Sequence, residues 1–421
     1  MILQDAPGGE KPALSGGRLR RGNTFAALKY PNYRLWFIGQ IISLFGTWMQ
    51  TTAQGFLVYT LTQSPAYLGY VGFAAGVPAW VLMLYGGVIA DRVSRRTLLI
   101  TTQTSMMVFA FVLAALTFLN IVQPWHIVLL SFMLGVANAF DAPARQAFVS
   151  EMVDSKDLTN AIALNATMFN SALAAGPAVA GITYAAFGPG WCFTINGLSF
   201  IAVIVALRKM NVKPVVSGAK RESVLRELME GMRHVAATQV IKVLFVVLAV
   251  TQIFVFSLNT LIPAWSVSVL DGDATTNGFL YSFRGLGSLA GALGIASLGR
   301  FSYRGKLLTA GLFTSFVLLV VFAMSRWLPL SLLLLVGIGI GSIMVMNLAN
   351  AMVQTMTPER LRGRVMGAYT WIFFGAMPLG ALWAGMLADW TSLSETVTIN
   401  GVLGFAATVV VWKMFPKLRE Q

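Results

Sequence analysis

From Arg34 to Phe415 the chain alternates long apolar stretches with short polar breaks. A helix climbs about 1.5 Å per residue and the hydrocarbon layer of a bilayer is about 30 Å thick, so roughly twenty apolar residues cross it. Stretches of that length fall at about 34–60, 66–90, 97–120, 124–148, 159–186, 190–208, 241–267, 278–299, 306–325, 329–354, 363–388 and 393–415, which predicts twelve membrane-spanning helices. The longest break, about Arg208 to Val240, divides them six and six. Inside it Val224, Leu225, Leu228, Met229, Met232 and Val235 recur at helical spacing opposite Arg221, Glu222, Arg226, Glu227, Glu230 and Arg233. That pattern predicts an amphipathic helix lying on the cytoplasmic membrane face, with a partner-binding helix as the alternative.

The expected organisation is a tail and interfacial lead-in over 1–33, a six-helix bundle over 34–208, a loop with its amphipathic helix over 209–240, a second bundle over 241–415 and a tail over 416–421. Residues 1 to about 23 are rich in Gly, Pro and Arg with no apolar core and read as a disordered cytoplasmic tail. No short apolar stretch with a small-residue cleavage site follows the Arg18 to Arg21 cluster, so no cleavable signal is expected.

Composition narrows the class. With 57% hydrophobic and 11% charged residues and a mean hydropathy of +0.72, the chain has too few polar groups to coat a soluble globule of 421 residues. A net charge of +14 would suit nucleic acid, but the cations stand in breaks beside apolar helices rather than on one solvated face, so no nucleic-acid partner is expected. On the twelve-helix plan all 30 lysines and arginines except Arg284 and Arg326 fall on one face. Cytoplasmic loops carry that bias, which places both termini in the cytoplasm. Cys192 is a single cysteine, His126 and His234 show no ligand spacing, and no Walker phosphate loop occurs. No metal or cofactor is expected, and an ATP-driven pump would need another chain. Gly285-Leu286-Gly287-Ser288-Leu289-Ala290 has the outline of a dinucleotide fingerprint, but no strand precedes it and it reads as helix packing. A membrane enzyme would need nucleophiles, acids or metal ligands clustered at one depth, which this chain lacks.

The break after span 2 holds Gly86-Gly87-Val88-Ile89-Ala90-Asp91-Arg92-Val93-Ser94-Arg95-Arg96. A topology anchor accounts for its three arginines but not for the acid or the glycines, since an acid at the membrane surface needs a cation or a positive helix end beside it. The stretch resembles the signature loop between helices 2 and 3 of the major facilitator superfamily, Gly-x-x-x-Asp-Arg-x-Gly-Arg-(Arg/Lys). Gly87, Asp91, Arg92, Arg95 and Arg96 match it, and Ser94 stands in place of the usual glycine. The resemblance extends from about Tyr33 to Phe415 and implies an all-α integral membrane protein, with twelve transmembrane helices in two pseudo-symmetric six-helix bundles around a midplane cavity. Two internal matches fit: Asp91 to Leu99 after span 2 resembles Gly299 to Leu308 after span 8, without the acid. Asp154-Ser155-Lys156-Asp157-Leu158 after span 4 sits where Thr357-Pro358-Glu359-Arg360-Leu361 sits after span 10. The family pattern further implies contact of Asp91 with the helix beginning near Gly363, and of Arg92 or Arg95 with Asp141 or Glu151.

Within the spans, Asn138, Asp141 and Arg145 share one face of span 4, with Asp141 and Arg145 spaced to pair. A charge at the bilayer centre costs roughly 2.5–3.5 kcal/mol on insertion scales, so this face should look inward, as a fixed ion pair or as a gating or proton-linked element. Ala172-x-x-x-Gly176-Pro177-x-x-Ala180-Gly181 in span 5 resembles the Gly-x-x-x-Gly-Pro-x-x-Gly-Gly element of the superfamily's antiporters, which implies export; ordinary helix packing is the alternative. Gln50 and Gln54 of span 1, with Thr47 and Thr51, are expected to line the cavity; the other reading is helix-to-helix hydrogen bonding. Gln252 and Asn259 of span 7 and Asn347 and Asn350 of span 10 carry the same two readings. Arg284 in span 8 is a buried cation that contacts an anionic substrate group or reaches out to headgroups, Asp271 or Asp273.

Pro31-Asn32-Tyr33-Arg34-Leu35-Trp36, Asp141-Ala142-Pro143-Ala144-Arg145-Gln146 and Gly363-Arg364-Val365 are similar to the branch that holds bacterial enterobactin exporters and macrolide efflux proteins. The resemblance implies an exporter in the bacterial cytoplasmic membrane that exchanges an amphipathic small molecule for protons; a monomer is the expected state. Trp48, Phe56, Trp265, Phe283, Trp371 and Phe374 suit such a ligand and equally suit lipid contact. Asp141 or Asp91 is the acid expected to titrate. The alternatives are an importer or uncoupled facilitator of a small metabolite and, more distantly, a non-transporting receptor.

Overall fold

The computed structural model describes residues 25–211, 224–298 and 303–418. The expected tail, part of the central break and the start of the loop after span 8 lie outside the described residues. Fourteen α-helices occur among the described residues: α1 (Pro31–Thr62), α2 (Pro65–Arg92), α3 (Arg95–Phe118), α4 (Pro124–Met152), α5 (Leu158–Phe187), α6 (Pro189–Lys209), α7 (Val224–Ala237), α8 (Gln239–Val250), α9 (Leu258–Ser268), α10 (Ala274–Leu298), α11 (Arg304–Met324), α12 (Leu328–Met356), α13 (Glu359–Trp390) and α14 (Leu393–Met414). A π-helical turn, Thr251–Phe256, joins α8 to α9 so that the three pieces make one rod.

Helix boundaries follow local chemistry. Proline occupies the first turn of α1, α2, α4, α6 and α12, where its missing N–H has no intrahelical partner to lose. Gly188 alone separates α5 from α6 at φ +86°, a left-handed conformation that glycine adopts without a Cβ clash. Among the described residues ten rods are long and apolar enough to cross a bilayer. The remaining two long helices, α1 and α5, have 32 and 30 residues and carry the amides and hydroxyls that dilute their hydropathy.

The rods repeat one neighbour pattern. In the first half α2 packs on α4, α3 on α4 and α6, and α1 on α5 and α6. In the second, α10 packs on α12, α11 on α12 and α14, and the α8–α9 rod on α13 and α14. The main contacts between halves are α2 with α13 and α5 with α10, and exchanging the halves turns one contact into the other. Helix α7 is packed against α13: Gly231 abuts the Arg364 backbone, and Glu230 pairs with Arg364. The amphipathic segment therefore buries one face on protein.

Candidate functional site

The halves are joined at one end and apart at the other. At the face opposite the α2–α3 loop, a Cβ on Gly76 would stand 2.7 Å from the Pro378 ring, and one on Gly385 would stand 2.7 Å from the Gly69 Cα. A Cβ on Gly181 of α5 would stand 2.5 Å from the Ala274 carbonyl, and Gly278 of α10 meets the Pro177 carbonyl. Tyr59–Ser268 and Ser64–Asp389 hydrogen bonds, both 2.6 Å, tie the same end together. Toward the loop face, by contrast, Gly87 on α2, Gly363 and Gly367 on α13 and Gly294 on α10 all look onto open space. Small residues permit the close approach; where the halves diverge, no neighbour demands it. Pro78 and Pro378 each remove one intrahelical hydrogen bond beside the point of divergence, where a helix bends most readily.

A cavity of ≈ 520 Å³ occupies this divergence. Trp80 of α2 and Trp371 of α13, with ring centroids 5.5 Å apart, meet across the two halves at its wall. Met83, Met366, Tyr369 and Phe374 add apolar surface, while Gln146 of α4 and Asn350 of α12 supply the amides. None of the described lining residues is charged. Such a wall accommodates a molecule with a sizeable apolar body and a few hydrogen-bonding groups.

The loop beside the cavity mouth is braced by charge. Arg95, at the start of α3, pairs with Glu151, at the end of α4, at 2.6 Å, which is one of the pairings the resemblance implies. Arg96 donates to the Arg208 carbonyl at the end of α6, 2.8 Å away, and Arg92 is exposed. The implied contact of Asp91 with the helix near Gly363 falls on a side chain outside the described residues. Asp141, 1% exposed, accepts from Thr102 (2.8 Å) and Gln103 (2.9 Å) of α3 and stands 3.6 Å from Arg145. Its carboxylate thus joins α4 to α3 and is well supplied with donors. At the same face Tyr30, ahead of α1, donates to Asp154 (2.8 Å) and Asp157 (2.7 Å), and Lys29 lies 2.6 Å from Asp157. Hydrogen bonding to Lys29 and then to Tyr30 lowers the Asp157 pKa from its ordinary value; the Tyr30 hydroxyl and then Lys156 do the same for Asp154.

The span 5 element packs on both sides. Gly176 admits Trp48 of α1, whereas Pro177 and Gly181 face α10 of the other half. Ala178 sends its backbone N–H to Ser282 of α10, 2.9 Å away. Proline at 177 also leaves the Leu173 carbonyl without its usual intrahelical donor, and that carbonyl faces Gly285.

The expected polar lining of span 1 is corrected by the structure. Gln50 and Gln54 are 3% and 6% exposed; Gln50 accepts from Asn196 of α6 at 2.6 Å, and Gln54 donates to Ser131 of α4. They bind helices within their own half, because a buried amide gains more from a facing amide or hydroxyl than from an apolar void. Asn259 likewise is engaged inside the second half, accepting from Arg284 and, through its backbone carbonyl, from Tyr281. Arg284 reaches neither Asp271 nor Asp273: among the described residues no carboxylate lies within 4.0 Å of it. Asn350 lines the cavity and accepts from Gln354, 2.7 Å away; Asn347, three residues earlier on the same face, is exposed. Asn138, one turn before the cavity residue Ala142, is exposed and donates to the Leu134 carbonyl.

A family model described as transmembrane secretion effector matches residues 22–421. The chain belongs to this family of major facilitator transporters. Among curated relatives, the transporter is 24% identical over 394 residues to the staphyloferrin A transporter of Staphylococcus aureus, covering 92% of this chain and 97% of that one. It is 28% identical over 364 residues to the multidrug efflux pump Tap of Mycolicibacterium fortuitum, covering 83% and 87%. Its fold is similar to the crystal structure of a bacterial homologue of the human lysosomal transporter Spinster, at a TM-score of 0.72 and 13% identity over 93% of this chain and 98% of that one. The superfamily read from the loop is thus the transporter's own, and its relatives include siderophore and drug transporters of the kind that the motifs ahead of span 1, in span 4 and entering span 11 resemble.

Three features of the transporter's site were not anticipated. Trp80 was not singled out, since an aromatic in a span equally suits lipid. Gly86, rather than its motif neighbour Gly87, abuts the Ala139 carbonyl and lets α2 approach α4. Phe256 lies 4.9 Å from the Arg284 guanidinium on a π-helical turn that no periodicity announced.

Proposed function

We propose that this transporter exports an amphipathic small molecule across the bacterial cytoplasmic membrane by alternating access, in exchange for protons and as a monomer surrounded by lipid. The observation that carries the reading is the cavity between the halves, aromatic and amide-lined, beside the face where the cations gather. The positive-inside bias makes that face cytoplasmic, so a molecule from the cytoplasm has direct access. The Mycolicibacterium relative is an efflux pump, which points in the same direction. In the other half of the cycle the α2–α13 and α5–α10 contacts part and the loop ends close, bringing Gly87 toward α13 near Gly363. The Asp91, Arg92, Arg95 and Arg96 loop then sets the balance between the two arrangements. Asp141 acts as a brace, its charge held by three partners. Asp91 of that loop is the acid that exchanges protons in this reading.

Everted membrane vesicles test this with the fluorescent bisbenzimide Hoechst 33342. Vesicles carrying the transporter should take up the dye at least about tenfold faster with an acid-inside pH gradient than without one, and Asp91→Asn should abolish the difference. Equal rates with and without the gradient overturn proton exchange and leave an uncoupled facilitator; no uptake above empty vesicles for this and other amphipathic dyes overturns export.

A further inference from the structure

We infer that Arg284 is the anchor of a binding site for an oxyanion, a carboxylate or a group of similar charge and shape. That the oxyanion belongs to the exported molecule rests on the function proposed above.

Arg284 lies ten residues into α10, about 15 Å from its start and within the apolar run that crosses the membrane. It is 6% exposed. Nη1 donates to the Asn259 side chain, and the guanidinium carbon sits 4.9 Å from the centre of the Phe256 ring. Nε and Nη2 have no hydrogen-bond partner. Within the described residues no carboxylate neutralises the charge. The idle nitrogens are informative as a pair, because Nε–H and Nη2–H share one edge of the guanidinium plane. That edge grips a carboxylate or phosphate through two parallel bonds.

A structural arginine at this depth would use its donors, as Asp141 uses its acceptors, since an unmet buried charge disfavours the fold. The surroundings point to a ligand. Phe256 and Asn259 come from the π-helical turn and the start of α9, and π-helical turns recur at functional sites. On α10 itself, Ser282 and Gly285 flank Arg284 and make the contact with Ala178 and Leu173 of α5. The cation therefore sits behind a joint between the halves. A ligand that reaches it must loosen that joint, so binding favours the arrangement in which the outer end is open.

The test uses purified full-length transporter in detergent and two probes of matched shape, 2-naphthoate and its neutral isostere 2-naphthamide, with the thermal-unfolding midpoint followed as each is titrated. Wild type should bind the naphthoate at least about tenfold more tightly than the amide. Arg284→Gln should bind the two equally while keeping the wild-type response to the amide, which also shows that it is folded; Arg284→Lys should retain part of the preference, as a point charge without the fork. Equal binding of the probes by wild type, or a preference that survives in Arg284→Gln, overturns the site. Counterflow of labelled naphthoate in proteoliposomes separates the two readings: binding preference without counterflow keeps the oxyanion site and counts against export.

Discussion

Asp141 and Arg284 face the same problem at similar remove from water, and the two halves answer it differently. The acid in the first half is met by a hydroxyl, an amide and a guanidinium, and its charge becomes a strut between α3 and α4. The cation in the second half meets one amide oxygen and an aromatic face and leaves two donors idle. Equivalent bundles thus hold one charge that serves the architecture and one that awaits a partner. Intramembrane charge by itself does not identify a binding site; the unfilled hydrogen-bonding capacity beside it does.

The sharpest way to break this contrast is to remove each charge. Asp141→Ala strands Arg145, Thr102 and Gln103 and should cost about 3 kcal/mol, toward the low end for a broken buried pair because Arg145 is partly exposed. Arg284→Met removes a charge with no counter-ion, and its thermal midpoint should equal or exceed that of wild type. Similar losses in both variants, read by thermal unfolding in detergent, would erase the distinction.

A smaller effect concerns the joint rather than the charges. A Cβ on Gly375 would run into the Trp80 indole nitrogen, so Gly375→Val should cost about 1–3 kcal/mol in the arrangement seen here, as overpacking does. The population then shifts toward the opposite arrangement, by roughly tenfold for each 1.4 kcal/mol. Thiol labelling of Gly87→Cys in a Cys192→Ser background should be fast with Gly375 intact and slowed by that shift when valine replaces it; unchanged labelling would show that the joint does not control the loop.

The smallest effect lies in the strap ahead of α1. The Asp157 pKa is lowered in the fold, by hydrogen bonding to Lys29 first and then Tyr30. A lowered folded value means that the charged acid adds stability above the ordinary carboxylate range, and that this is lost as pH falls through the lowered value. Asp157→Asn should therefore melt slightly below wild type at neutral pH, with the gap closing as the solution is acidified past that range. A gap independent of pH would remove charge from the account of this strap.

Much of the frame was legible beforehand. Eleven predicted spans each correspond to one helix and the seventh to the α8–π-turn–α9 rod, with ends displaced by a few residues, several of them where proline or Gly188 sets the boundary. Arg95 and Glu151 were among the pairings implied by the signature loop, and they pair. Gln50 and Gln54 were read as cavity residues because a polar stripe on a helix has the same spacing whether it faces a void or a neighbour's amide. Asn196 and Ser131, which decide the matter, lie 146 and 77 residues away in the chain. Trp80 and Gly375 offered no local sign of their encounter for the same reason.

What the amino-acid sequence determined by itself was the solvent of each segment and the side on which the cations collect. Transfer of a twenty-residue run into hydrocarbon sums over neighbours along the chain and needs no knowledge of distant residues. What only the tertiary structure decided was which end of the two halves is joined, which amides are already spoken for and which donors of Arg284 are left over. Those depend on the rotation and approach of helices far apart in sequence, where about an ångström separates a filled hydrogen bond from an idle one.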